Sequence, residues 1–209
     1  MVIDLIKEHY IILFLASFFL GLDKGGLKTL LVVCMYLLTF IVDSKLMLAI
    51  LAPIMVIGDI IPIIIYKRDI NKKAVFSFMP FTLIAIIITG IVLKNVDAKA
   101  FTLIIGIFIL VMAIMMSIVQ YKDSKRKEKT KKHLNIFVKI ILAIITGISA
   151  MSNSAAAITN LYFFNETENK KEFIGSSSQF FFFINALKLL VIAFIWKTIS
   201  IDSLLISLA

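Results

Sequence analysis

Cysteine and histidine are almost missing from this 209-residue chain: Cys34 stands alone, and His9 and His133 are the only histidines. Cys34 has no partner for an intrachain disulfide, and its place in an apolar run makes it a buried structural thiol. The two histidines fall at the ends of apolar runs, no metal-ligand spacing occurs, and no serine has a histidine positioned to activate it. An enzyme constellation is therefore not expected, nor is a cofactor or a metal. Charge is scarce as well. Only 17% of residues are charged against 61% hydrophobic, with a mean hydropathy of +1.03, which excludes a water-soluble fold. Lys7 precedes the first apolar stretch but no small-residue cleavage site follows, so that stretch reads as an uncleaved first helix and not a signal peptide.

What the chain does contain is apolar runs. At about 20 residues per crossing there is room for roughly seven or eight spans, drawn at 9–22, 27–42, 46–66, 75–93, 100–120, 136–150, 154–164 and 173–196. Four of them are too short to cross alone without tilt, and these come in pairs. The first pair is broken at Gly21 to Gly26, the second around Met151, Ser152 and Asn153. Each pair is either two tilted spans or one re-entrant hairpin.

The formal charge of +9 would suggest nucleic acid in a soluble protein, but here the basic residues gather in two loops between spans. Lys67, Arg68, Lys72 and Lys73 form one; Lys122, Lys125, Arg126, Lys127, Lys129, Lys131 and Lys132 form the other. The positive-inside rule makes both cytoplasmic, and counting spans from them puts the N-terminus outside. Superposing the two broken pairs places Gly21 on Gly147 at an offset of 126, and the same offset places Asp59 on Asn185. The first copy starts outside and the second inside, so the copies have opposite topology, as in many secondary transporters.

Unwound backbone at membrane depth survives only where protein or a water-filled cavity satisfies it, so each break marks a cavity. Gly25 and Gly26 leave N–H groups unobstructed at the start of the next helix, whose dipole favours negative charge by about 0.3–1 kcal/mol. Ser152, Asn153 and Ser154 either cap the helix after the second break or turn their donors to a ligand. Lys24 would add a full positive charge, unless the turn reaches the surface and Asp23 and Lys24 are merely solvated; Lys28, a turn further on, can snorkel. Along the Phe-rich helix 173–196, Ser178, Asn185 and Lys188 are spaced by seven and three and share one face. A charge near the bilayer centre costs about 2.5–3.5 kcal/mol, which calls for a partner or a ligand unless Lys188 snorkels outward. Asp59, between Gly58 and Pro62, meets the same argument as either the partner of a lysine or a proton carrier.

At these residues the chain resembles the sulfite exporter TauE/SafE family of membrane permeases. Gly21 to Leu27 looks like one branch's glycine-lysine motif; Ala49 to Lys73, with Gly58-Asp59 and Tyr66-Lys67-Arg68, is similar to the family's third helix and loop; Pro80, Gly90 and Gly106 fit the next two helices. The most specific string is Gly147 to Ala156, followed by Leu161-Tyr162, Glu172 to Ser176, Asn185 and Lys188. The resemblance implies transport of sulfite, sulfonates, related organic anions or other sulfur species, coupled to an ion gradient. A proline common after each break is missing, with Ala157 in the second copy, and Ile201 to Ala209 opens a segment that relatives continue with more helices. Either those helices are absent or the chain is a fragment.

The expected fold is all-α, a polytopic membrane protein of about 7–8 helices in two inverted repeats with broken or re-entrant short helices. Residues 1–120 hold the first repeat plus a connecting helix, 121–135 the basic cytoplasmic loop, and 136–209 a second repeat short at its C-terminus. The expected function is secondary transport, as an exporter, of a small sulfur-containing or organic anion by alternating access in the plasma (inner) membrane. Lys24, Gly25, Gly26, Ser152, Asn153, Ser154, Asn185 and Lys188 surround the substrate, and Asp59 serves in coupling or in a structural ion pair. Expected partners are the anion, the bilayer, a proton or sodium ion and a second copy in a homodimer, with nucleic acid excluded. The alternative is a non-transporting membrane subunit that keeps the permease fold.

Overall fold

The computed structural model describes residues 8–24, 30–97, 99–104, 106, 107, 110, 111, 114, 134–200, 203, 206 and 207. The basic loop at 122–132 and His133 lie outside them. The described chain is helical throughout: α1 (Tyr10–Lys24), α2 (Leu30–Leu38), α3 (Ser44–Tyr66), α4 (Lys72–Lys94), α5 (Ile136–Ala150), α6 (Ala156–Glu166) and α7 (Lys170–Leu190), which runs on as a π-helical segment, Val191–Trp196. Residues 99–104 begin a further helical stretch. Among the described residues, three helices are long and apolar enough to cross a membrane: Ser44–Tyr66, Lys72–Lys94 and Lys170–Trp196. At 1.5 Å per residue, 23 residues span about 34 Å, enough for a hydrocarbon core of about 30 Å.

Four helices start where a polar side chain takes up an otherwise orphaned N–H. Asp43 accepts from Lys45 and Leu46 N–H, Asn71 from Ala74, Asn135 from Phe137 and Asn169 from Glu172. Each such cap is worth about 0.5–2 kcal/mol. The caps carry α3, α4 and α7 a few residues upstream of the apolar runs that mark them in the sequence.

Helix order repeats with the offset read from Gly21 and Gly147. The starts of α1 and α5 (10 and 136) and of α3 and α7 (44 and 170) each differ by 126. The halves interlock through α3 against α7 and α4 against α5. In the second contact backbones approach so closely that a Cβ on Gly147 would lie 2.5 Å from both the Thr82 carbonyl oxygen and Ala85 Cβ. An aromatic cluster fills the interior: Phe78 stacks on Tyr162 with centroids 3.8 Å apart, Phe163 and Phe180 close around them, and the Tyr162 hydroxyl donates to the Ala74 carbonyl at 2.9 Å. Outward, α3 and α4 expose Ile57, Ile61, Ile64, Ile65, Ile84, Ile88, Ile91 and Val92. An apolar exterior around paired helical backbone is what a hydrocarbon surround demands.

Candidate functional site

Four side chains meet at the interface of the two halves, where α3 crosses α7. Gly21 to Lys24, drawn at the first break from the apolar pattern, are helical and belong to α1. The two polar residues at its end diverge. Asp23 is 4% exposed and its carboxylate accepts the Leu31 N–H at 3.1 Å, tying α1 across the break to the first turn of α2. A solvated surface turn is thereby ruled out for Asp23.

Lys24 reaches instead to α3. Its Nζ lies 2.6 Å from Asp59 Oδ1 and donates to the Met55 carbonyl at 3.3 Å. The stem can lie there because position 58 is glycine: a Cβ on Gly58 would sit 3.1–3.3 Å from Lys24 Cε, Cδ and Cγ. The other carboxylate oxygen, Asp59 Oδ2, accepts from Asn185 Nδ2 at 2.7 Å. Asp59 and Asn185, the two positions matched by the repeat offset, thus touch each other where the halves meet.

One turn beyond Asn185, Lys188 is 1% exposed, so it does not snorkel. Its ammonium donates to Asn153 Oδ1 and lies within coulombic range of Lys24 and Asp59. Asn153 forms the second break in the left-handed conformation, φ 57°, which asparagine tolerates better than most residues. Each half thus ties its short-helix pair to its long helix, through Lys24–Asp59 in the first and Asn153–Lys188 in the second, with the lysine on the short helix in one and on the long helix in the other.

The two contacts differ in charge. Asp59 neutralises Lys24, whereas Lys188 meets a neutral amide, and the remaining polar atom of that amide, Asn153 Nδ2, is buried and has no partner among the described residues. A buried ammonium without a carboxylate in contact, beside an unused N–H donor, is costly in an empty site and favourable around a bound negative charge.

The serines of the second break do other work. Ser152 Oγ and Ser154 Oγ donate to the Ser149 carbonyl at 2.9 and 3.3 Å and lie 2.8 Å apart, closing the C-terminus of α5. They do not cap the following helix: the N-cap of α6 is Ala155, with no side-chain cap, and the serines turn back to the Ser149 carbonyl instead. Ser178 is buried on the same face of α7 as Asn185 and Lys188, two turns away. Gly25, Gly26 and Lys28 lie outside the described residues. Sequence reasoning missed the burial of Asp23 and the seat that Gly58 makes for Lys24. A glycine next to a buried acid, one break away from a lysine, was the available signal.

No curated protein and no solved structure matches this chain. Residues 10–209, essentially the whole of it, match the sulfite exporter TauE/SafE family of transporters, and the chain belongs to that family.

Proposed function

We propose that this membrane permease is a secondary transporter that exports a small sulfur-containing or organic anion, such as sulfite or a sulfonate, by alternating access and at the expense of an ion gradient. The observation that carries the reading is Lys188, a buried ammonium in contact with a neutral amide at the second break. In the proposed site the anion sits against Lys188 Nζ and Asn153 Nδ2, with Lys24 and Asn185 on the facing side. Ser152 and Ser154 support it by holding the turn that presents Asn153. Gly25 and Gly26 would supply backbone N–H groups from the first break.

Alternating access fits two breaks that each fasten to the long helix of their own half. Opening one contact at a time would expose the centre to one side only. Binding and flux of sulfite and sulfoacetate by the purified protein in liposomes test the proposal. Lys188→Met removes a charge-assisted contact worth about 1.5–3 kcal/mol, so affinity should fall by about 10- to 150-fold. Binding equal to wild type in that variant would take Lys188 out of the site.

A further inference from the structure

The donors around Asp59 are chemically the same as those left open at the second break. A lysine ammonium and an asparagine Nδ2 hold the Asp59 carboxylate, at 2.6 and 2.7 Å. A lysine ammonium and another asparagine Nδ2 stand at Lys188 and Asn153 without one. One of two like donor pairs is filled by an anion that belongs to the protein. We infer that Asp59 is a tethered counter-ion that releases Lys24 to the transported anion by taking up a proton, so that each anion moves together with one proton. The inference rests on the transporter reading and adds the coupling ion and its residue.

The proton step balances within the described residues. Asp59 carboxylate takes a proton from a hydronium ion of the aqueous side, forming one O–H bond at the expense of another. Lys24 keeps its own three protons and loses only its counter-charge, so its ammonium can turn to an anion at Lys188, which is already within coulombic range. The new Asp59 O–H requires an acceptor. The Met55 carbonyl, which now shares the Lys24 ammonium with Asp59, is left free by the same movement. Asn185 goes on donating to the other oxygen. When the anion leaves, the acid returns its proton to water and the ion pair forms again.

Few other titratable groups bear on Asp59 among the described residues. From α1 it faces Lys24, and from α7 Lys188. The remaining ionisable groups of α7, Lys170, Lys171 and Glu172, lie in its first turn, about 20 Å along the axis from Asn185. The π-helical segment carries none, and Lys197 beyond it is exposed by comparison; those of α4, Lys72, Lys73 and Lys94, are at its ends. Asp23 turns to the Leu31 N–H. Lys67, Arg68 and Asp69 follow the far end of α3.

Methanesulfonate, which stays a monoanion across the accessible pH range, is the probe, so that any pH dependence belongs to the protein. In wild-type proteoliposomes its affinity should rise as pH falls, by up to tenfold per pH unit for one linked proton, and its flux should be accompanied by a pyranine-detected proton flux of about one per anion. Asp59→Asn should bind it more tightly than wild type at high pH, with affinity flat across pH and no coupled proton flux. Asp59→Glu should restore the slope. Should Asp59→Asn not fold with Lys24 unpaired, the doubly neutral Lys24→Gln/Asp59→Asn variant must show the same flat profile. A wild-type pH slope that survives in either neutral variant overturns the inference. Wild-type binding without any slope overturns it and leaves the anion reading standing. Failure of wild type to bind methanesulfonate or sulfite at any pH overturns both.

Discussion

Lys188→Met separates what the buried ammonium costs the fold from what it contributes to binding. Methionine keeps the unbranched stem that packs in α7 and removes the charge. In the empty protein Lys188 is 1% exposed and its ammonium donates to Asn153 Oδ1, a neutral oxygen. Holding a charge at such depth costs about 2.5–3.5 kcal/mol before any partner is counted, and one hydrogen bond to a charged group returns about 1.5–3 kcal/mol. Deleting both leaves the apo protein unchanged or up to about 1–2 kcal/mol more stable. With anion present the sign reverses. Wild type at 100 times its dissociation constant gains about 2.7 kcal/mol from mass action, and the variant, binding about 10- to 150-fold more weakly, gains about 0.3–1.4 kcal/mol at the same concentration. Thermal unfolding in detergent, followed by the fluorescence of Trp196 with and without sulfite or sulfoacetate, reads both terms. A variant that melts well below wild type without ligand, yet keeps the full ligand-induced shift, would refute the reasoning: Lys188 would then be a structural cation and not a ligand-holding one.

Four further substitutions address the frame around it. Asn153→Asp turns the second contact into a chemical copy of the first. It should raise thermal stability and abolish anion binding in calorimetry, since the new carboxylate neutralises Lys188 and the Asn153 Nδ2 donor is gone. Gly58→Ala gives α3 a better helix former by up to about 1 kcal/mol while crowding the Lys24 stem at 3.1–3.3 Å. Its expected signature is a melting temperature at or above wild type with altered transport kinetics. Gly147→Ala drives a Cβ to 2.5 Å from the Thr82 carbonyl, backbone that cannot yield as a side chain would, and should cost about 1–3 kcal/mol. Gly21→Ala, at the matching position of the first half, meets nothing within 4 Å and should melt like wild type.

Those two glycines show where the sequence is legible and where it stops. Apolar run length marks the helices, because a bilayer leaves a chain few other structures, and the offset of 126 between Gly21 and Gly147 recurs in two pairs of helix starts. Their surroundings are a different matter. One is packed backbone to backbone and the other is open, a property of which helices are neighbours and not of the residue. Boundaries shifted for a local reason: Asp43, Asn71 and Asn169 are polar and fall outside any apolar window, yet their side chains start the helices that follow. At the site, a buried acid in an apolar helix pointed to a lysine partner or a proton carrier, and Lys24 Nζ lies 2.6 Å from Asp59 Oδ1. The serines of the second break were read as donors to a helix or a ligand, and the geometry that turns them back to Ser149 involves carbonyl groups that no residue pattern reveals.

The contact between Asp59 and Asn185 gives the divergence of the two halves a physical reason. Matched positions of a repeat that meet at the interface of the halves face each other, so their side chains must be compatible as a pair. Two aspartates would set like charges within hydrogen-bond distance, and one would have to stay protonated. Two asparagines would hydrogen-bond well but leave Lys24 as a second buried ammonium with no counter-ion, another cost of about 2.5–3.5 kcal/mol. One of each satisfies the bond at 2.7 Å and neutralises one lysine while Lys188 keeps no carboxylate in contact. The unequal pair therefore leaves two like frameworks with one open cation between them. Two asparagines would supply two open cations, and two aspartates a trapped proton beside a single one, so the substitution that breaks the repeat is also the one that gives an incoming anion one open cation without a shared proton.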